Sequence, residues 1–171
     1  MHVPISLENE AAALLLLTRG VVKMKELLHC ALNEYELPNG WAISFPESWS
    51  HEIEQHPEGD QYLFYPQNND LTFRITSFRV ENETGDAPIE LLRDVFSSSC
   101  SSLKKSKTTR IANNSFATEC YIGVEKEGGQ KIHRVSIGFI MEGFLLSVNI
   151  YATNRKIANK ALGYANTICR V

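Results

Sequence analysis

The segment His51-Glu52-Ile53-Glu54-Gln55-His56 is the stretch that comes nearest to a catalytic motif. It approaches the zinc-hydrolase helix H-E-x-x-H, in which two histidines four apart share one helical face and the glutamate acts as general base. Here the histidines are five apart. At 3.6 residues per turn that spacing sets them about 140° from each other, and Pro57 ends any helix that would carry them. The segment therefore reads as part of a solvated polar loop or short helical turn over residues 50–60, at most a weak surface site for a divalent ion.

Other reactive side chains do not form a pattern. There is no G-x-S-x-G elbow and no signature of a catalytic cysteine. His133 falls in a strand on the side of Val135 and Ile137, the place of a packed or edge residue, and His2 and His29 stand alone. Gly128-Gly129 is too short to cradle a phosphate, and no Walker or dinucleotide fingerprint is present. Glycosidase carboxylate pairs have no fixed sequence spacing, and nothing nominates one. The expectation is a protein that is not an enzyme and carries no cofactor or metal.

Recognition is the other use for such residues. Trp41, Trp49, Tyr62, Phe64, Tyr65, Phe73 and Phe78 cluster in the first half of the chain. Most suit a core, but Trp, Tyr and Arg are also the usual interface anchors. Arg74, flanked by Thr72 and Thr76 on the polar side of its strand, is the best candidate for an exposed anchor. Arg134, Asn149 and Tyr151 occupy the polar positions of two later strands. Trp49, His51, Glu52, Glu54 and His56 line the polar segment after the first strand.

The elements that position these residues follow from periodicity. Leu14, Leu17, Val21, Met24, Leu28, Ala31 and Tyr35 are spaced three and four apart, the stripe of an amphipathic helix, which predicts a helical extension over residues 1–37. Pro38-Asn39-Gly40 ends it as a turn. Trp41, Ile43 and Phe45 alternate as a first strand. Residues 62–65 and 71–80 are two more strands, and the slip in apolar phase between Ile75 and Phe78 predicts a bulge near Thr76-Ser77. Asp86 is placed to cap a helix with Pro88 in its first turn and Ile89, Leu92, Phe96 and Leu103 on one face. The basic cluster Lys104-Lys105-Ser106-Lys107 with Arg110 reads as a solvated helix end. Three alternating strands follow over residues 116–126, 131–141 and 144–152, joined by Gly128-Gly129 and Glu142-Gly143 and so antiparallel. Asn154 caps a closing helix with Ile157, Ala161, Tyr164 or Ala165, and Ile168 on one side.

The order α-βββ-α-βββ-α predicts an α+β fold, a single antiparallel sheet of about six strands with packed helices. A length of 171 residues, 43% hydrophobic and 22% charged, fits a single domain over residues 1–171. The net charge of −3 gives no basic surplus for nucleic acid. No apolar run approaches the roughly 20 residues of a membrane span. Glu8 and Glu10 stand where a signal peptide would be positive. Cys30, Cys100, Cys120 and Cys169 form no C-x-x-C pair. A cytoplasmic protein with reduced, buried thiols is expected.

The segment W-A-I-S-F-P-E-S-W from Trp41 to Trp49, followed by a hairpin, an amphipathic helix, a three-strand meander and a C-terminal helix, resembles the PsbP-like fold. That fold is shared by the photosystem subunit PsbP, a Ran-binding nuclear-import factor and uncharacterised bacterial families. The resemblance covers residues 41–171 and leaves the N-terminal helix as an addition. It implies a binding role rather than catalysis, without implying photosystem or Ran binding. The expected function is a non-catalytic protein-binding module, for instance a small bacterial immunity or adaptor protein that covers a partner protein. The alternatives are a small-ligand binder or minor enzyme with a pocket between sheet and helix, and a homo-oligomer assembled through the N-terminal helix.

Overall fold

The computed structural model describes residues 31–82, 85–106, 117–141 and 143–171. Two units are distinguished, Met1–Leu32 and Asn33–Val171, and the architecture is that of the second. Strands β1 (Leu32–Leu37), β2 (Trp41–Pro46), β3 (Ser50–Glu54), β4 (Gln61–Tyr65) and β5 (Leu71–Arg79) come first. A short ladder of β6 (Glu81–Asn82) and β7 (Gly85–Asp86) leads into helix α1 (Ile89–Ser99). After β8 (Lys104–Lys105) come the meander strands β9 (Ala117–Glu127), β10 (Gln130–Met141) and β11 (Phe144–Ala152), then helix α2 (Arg155–Ala165) and β12 (Cys169–Arg170). The main sheet has seven strands in the order β3-β4-β5-β11-β10-β9-β8, and β1-β2-β12 form a second sheet. Every pairing in the main sheet is antiparallel.

The meander forms as the alternation predicts. Gly128 and Gly129 have φ of 57° and 83°, the left-handed turn conformation in which glycine meets no steric penalty. Asn154 caps α2, accepting a hydrogen bond from the Ile157 amide at 3.0 Å.

One face of the main sheet is largely apolar. Phe73, Ile75, Val135, Ile137, Phe139, Leu146, Val148 and Ile150 are buried on it, and α2 and β2 cover it. Trp41 of β2 meets Phe139 with ring centroids 6.3 Å apart, and Phe45 meets Phe64 and Phe73 at 4.5 and 4.8 Å. The opposite face is divided. Helix α1 seals one half, where Leu92, Phe96, Cys100, Leu103, Tyr121, Ile140 and Leu145 form a second buried cluster. The other half has no helix over it among the described residues.

That divided face corrects several expectations. The bulge near Thr76-Ser77 is absent, because β5 pairs with β11 in unbroken register from Leu71 to Arg79. The phase slip is instead a change of face. Leu71, Phe73 and Ile75 turn to the first core, while Phe78 and Val80 pack against the cluster under α1. Asp86 ends β7 and does not cap α1, whose N-cap is Pro88 with no side-chain cap.

The single sheet of about six strands is replaced by sheets of seven and three, for reasons that lie in pairing rather than propensity. Leu32–Leu37 is a strand beside β2, not the end of a helix. Its Tyr35 satisfies either period, and tertiary pairing decides between them. Residues 1–30 of the expected helix, Cys30 included, lie outside the described residues. Ser50–Glu54, expected as loop, is held as a strand by β4. Lys104-Lys105, expected as a helix end, pairs with β9. Cys100 and Cys120 are buried, and Cys169 is half-buried.

Candidate functional site

The open half of the divided face is built by register. In the β10–β11 ladder Arg134 lies opposite Tyr151 and Ser136 opposite Asn149. Asn149 in turn lies opposite Arg74 of β5. Residues directly opposite share a face, so four of the candidate residues (Arg74, Arg134, Asn149 and Tyr151) come together.

Arg134 is the hub. Its Nη1 donates to Glu125 Oε1 at 2.9 Å, its Nη2 to Asn149 Oδ1 at 3.0 Å and its Nε to Ser136 Oγ at 3.1 Å. Ser136, fully buried, donates its hydroxyl to the same Asn149 oxygen at 2.6 Å. Asn149 Nδ2 then donates to Ser147 Oγ at 3.3 Å. The Arg134 side chain is 18% exposed, so these bonds fix a guanidinium that is largely out of water. Its charge is balanced by Glu125, and its planar donors match the acceptors around it.

Tyr151 lies between two cations. The guanidinium carbons of Arg74 and Arg134 stand 5.4 and 5.6 Å from its ring centroid, within cation–π range. Arg134 is held in the network, whereas Arg74 is exposed. A groove of ≈ 730 Å³ opens beside them, lined by Thr72, Arg74, Glu125, Gln130 and Tyr151 among others. Around it stand amide and hydroxyl groups and one ring flanked by two guanidinium groups. Ser136 is a structural hydroxyl here, enclosed and committed to Asn149.

The remaining candidates lie elsewhere. Trp49 belongs to the first core, stacked on Phe45 at 5.0 Å and beside Tyr164 at 5.0 Å. His51 sits 5.2 Å from Tyr35 and 6.0 Å from Phe64 on that same side of the sheet. Glu52 is on the face of Leu63 and Arg74 and accepts the Tyr65 hydroxyl bond. This bond holds the Tyr65 phenol above its ordinary 10.0, because the neutral form is the donor. Glu54 pairs with His56 at 3.5 Å in solvent. No group of three metal-ligating side chains occurs among the described residues.

Sequence reasoning missed Ser136, Glu125 and Ser147. Their polar alternation was visible, but their convergence depends on register. It also missed Glu119, a carboxylate 7% exposed under α1. Arg93 Nε lies 2.8 Å from its Oε1, and Lys105 bonds the other oxygen. That bond raises the Lys105 pKa, opposed by the partial loss of water around the amine.

No protein-family model matches the chain, and no curated protein does. Solved structures do. A crystal structure from Bacteroides thetaiotaomicron overlays with a TM-score of 0.56 at 15% identity, over 81% of this chain and 48% of that one. This chain thus spans about half the length of that protein. LpqN of Mycobacterium tuberculosis, described as involved in cell envelope biogenesis, overlays at 0.52 with 12% identity, over 81% of this chain and 87% of its own. Cyanobacterial PsbP from Synechocystis sp. PCC 6803 follows at 0.48 with 10% identity, over 83% and 94%. At such identities the likeness speaks for architecture alone: the chain shares the α+β fold of the Bacteroides structure and of LpqN.

Proposed function

We propose that the chain is a non-catalytic protein-binding module that meets its partner through the open half of the main sheet, centred on Arg74, Tyr151 and the Arg134 network. The observation that carries this reading is the stacking of an exposed arginine and an anchored arginine on one tyrosine ring. Arg and Tyr are the residue types in which interface energy concentrates. Here Arg134 is held by ladder register and hydrogen bonds before any partner arrives, which lowers the entropy lost on binding. A bacterial immunity or adaptor role in the cytoplasm, with the face laid over a partner protein's active surface, fits such a rigid polar patch and the modest negative charge. Nucleic acid and membrane are not the partners in this reading.

The groove of ≈ 730 Å³ beside Arg74 supports a second reading, a small-ligand site, since it falls in the size range of such pockets. It lies on the uncovered sheet face and not between sheet and helix. Assembly through the N-terminal helix concerns residues outside those described.

The test is co-purification of the tagged protein expressed at its native level, beside an Arg74→Glu/Tyr151→Ala variant. A specific partner recovered with the wild type and lost with the variant is the expected result. Repeated recovery of the protein alone, or equal recovery of a partner by the variant, overturns the reading.

A further inference from the structure

The main sheet ends at β3. Its inner edge pairs with β4, and among the described residues nothing pairs with its outer edge. All five of its residues are exposed, Ile53 at 52%. An edge of five residues is about 17 Å of backbone donors and acceptors, enough to seat one extended segment.

Charge narrows what that segment is. Between Gly40 and Arg74 the sequence holds no lysine or arginine but six carboxylates: Glu47, Glu52, Glu54, Glu58, Asp60 and Asp70. The net charge of the whole chain is only −3, so the remainder is positive on balance. The edge strand and its flanking loops are therefore the acidic pole of the protein. A second copy is a poor fit. Antiparallel pairing of two β3 strands centred on Glu52 or on Ile53 sets carboxylate opposite carboxylate, which is unfavourable.

Register completes the description. Glu52 and Glu54 share one face of the strand with Leu63 and Gln61, and His51 and Ile53 share the other with Phe64 and Tyr62. We propose that β3 is a strand-addition site for an extended, basic segment of a partner protein, with lysine or arginine at alternate positions facing Glu52 and Glu54 and an apolar residue between them over Ile53. Main-chain hydrogen bonds supply the binding and the alternate side chains the selectivity. This surface is separate from the Arg74–Tyr151 patch and does not depend on it.

The test titrates the protein with a short peptide alternating lysine and valine, followed by fluorescence polarisation and by amide hydrogen exchange. The expected result is binding that weakens with salt, as exposed charge pairs require, together with slowed exchange confined to alternate amides of residues 50–54. Replacing the valines by proline removes backbone donors and abolishes binding. Replacing the lysines by glutamate does the same through repulsion. Glu54→Lys weakens binding by about ten-fold. Equal affinity for the proline peptide, binding without protection of β3, or no binding of the lysine peptide at low salt each overturns the proposal.

Discussion

Replacing Gly138 by alanine probes how closely α1 sits on the sheet. A Cβ built at residue 138 falls 2.8 Å from Phe96 Cδ1 and 3.0 Å from both Cε1 and Cγ. Carbon atoms at rest sit roughly 3.5–4.0 Å apart, so the ring must move by more than half an ångström. It has little room to do so. Phe96 is 2% exposed and meets Tyr121 edge-on at 5.9 Å, within a cluster that includes Leu92 and Cys100. Overpacking of this kind costs about 1–3 kcal/mol. Alanine offsets about 0.5–1 kcal/mol of that by being less flexible than glycine in the unfolded chain. The net loss is about 1–2 kcal/mol, a fall in melting temperature of roughly 2–8 °C for a chain of this size. Differential scanning calorimetry reads it directly. Phe96→Leu in the same background opens the space that the methyl needs, so the double variant is more stable than the sum of the two deficits by about 0.5–1.5 kcal/mol. An unchanged melting temperature for Gly138→Ala, or strict additivity in the cycle, refutes the close approach of α1 to β10.

Further outcomes follow from other contacts. Asn149→Leu takes away the acceptor shared by Arg134 and the buried Ser136 hydroxyl, and leaving such groups unmatched costs about 1–3 kcal/mol, measured by urea unfolding. Lys105 has a folded pKa raised above 10.5 by Glu119. Its contribution is thus complete below 10.5 and is lost as pH climbs through the folded value. Denaturant midpoints are expected to fall in that alkaline window for the wild type and to fall less for Lys105→Met. Spectroscopic titration of the phenolate is expected to show Tyr65 ionising at lower pH in Glu52→Gln, because the amide is a weaker acceptor than the carboxylate in the bond that favours the neutral phenol. Asn154→Ala removes the cap of α2, at a cost of about 1 kcal/mol in thermal unfolding.

The parts of this fold legible from sequence are those in which one local signal suffices. The meander was readable because two-residue glycine turns separate strands with clean period-two alternation, and α2 because an asparagine cap precedes an apolar stripe. β3 was hidden, since its single apolar residue, Ile53, shows no periodicity and β4 imposes the extended conformation. β1 was hidden by a spacing that also fits a helix. The phase slip in β5 was visible, yet its cause lies in α1 covering only half of a face, a fact about three-dimensional packing. For the same reason Arg74, Arg134, Asn149 and Tyr151 stand out as polar alternates, while the burial of Ser136 at their centre follows only from strand register and packing. Glu119 was out of reach, because its partners Arg93 and Lys105 come from other elements and meet it only after folding.

The two ends of the main sheet are unlike, and this has a bearing on assembly. At the end opposite β3 the sheet closes with a two-residue strand, β8, whose Lys105 is tied down to Glu119. Among the described residues β8 pairs only with Tyr121 and Ile122 of β9, so the two edges present unlike lengths and charges to an added strand. A basic partner segment seated on β3 is expected to cap that edge in a finite complex of one-to-one stoichiometry that does not lengthen as concentration rises.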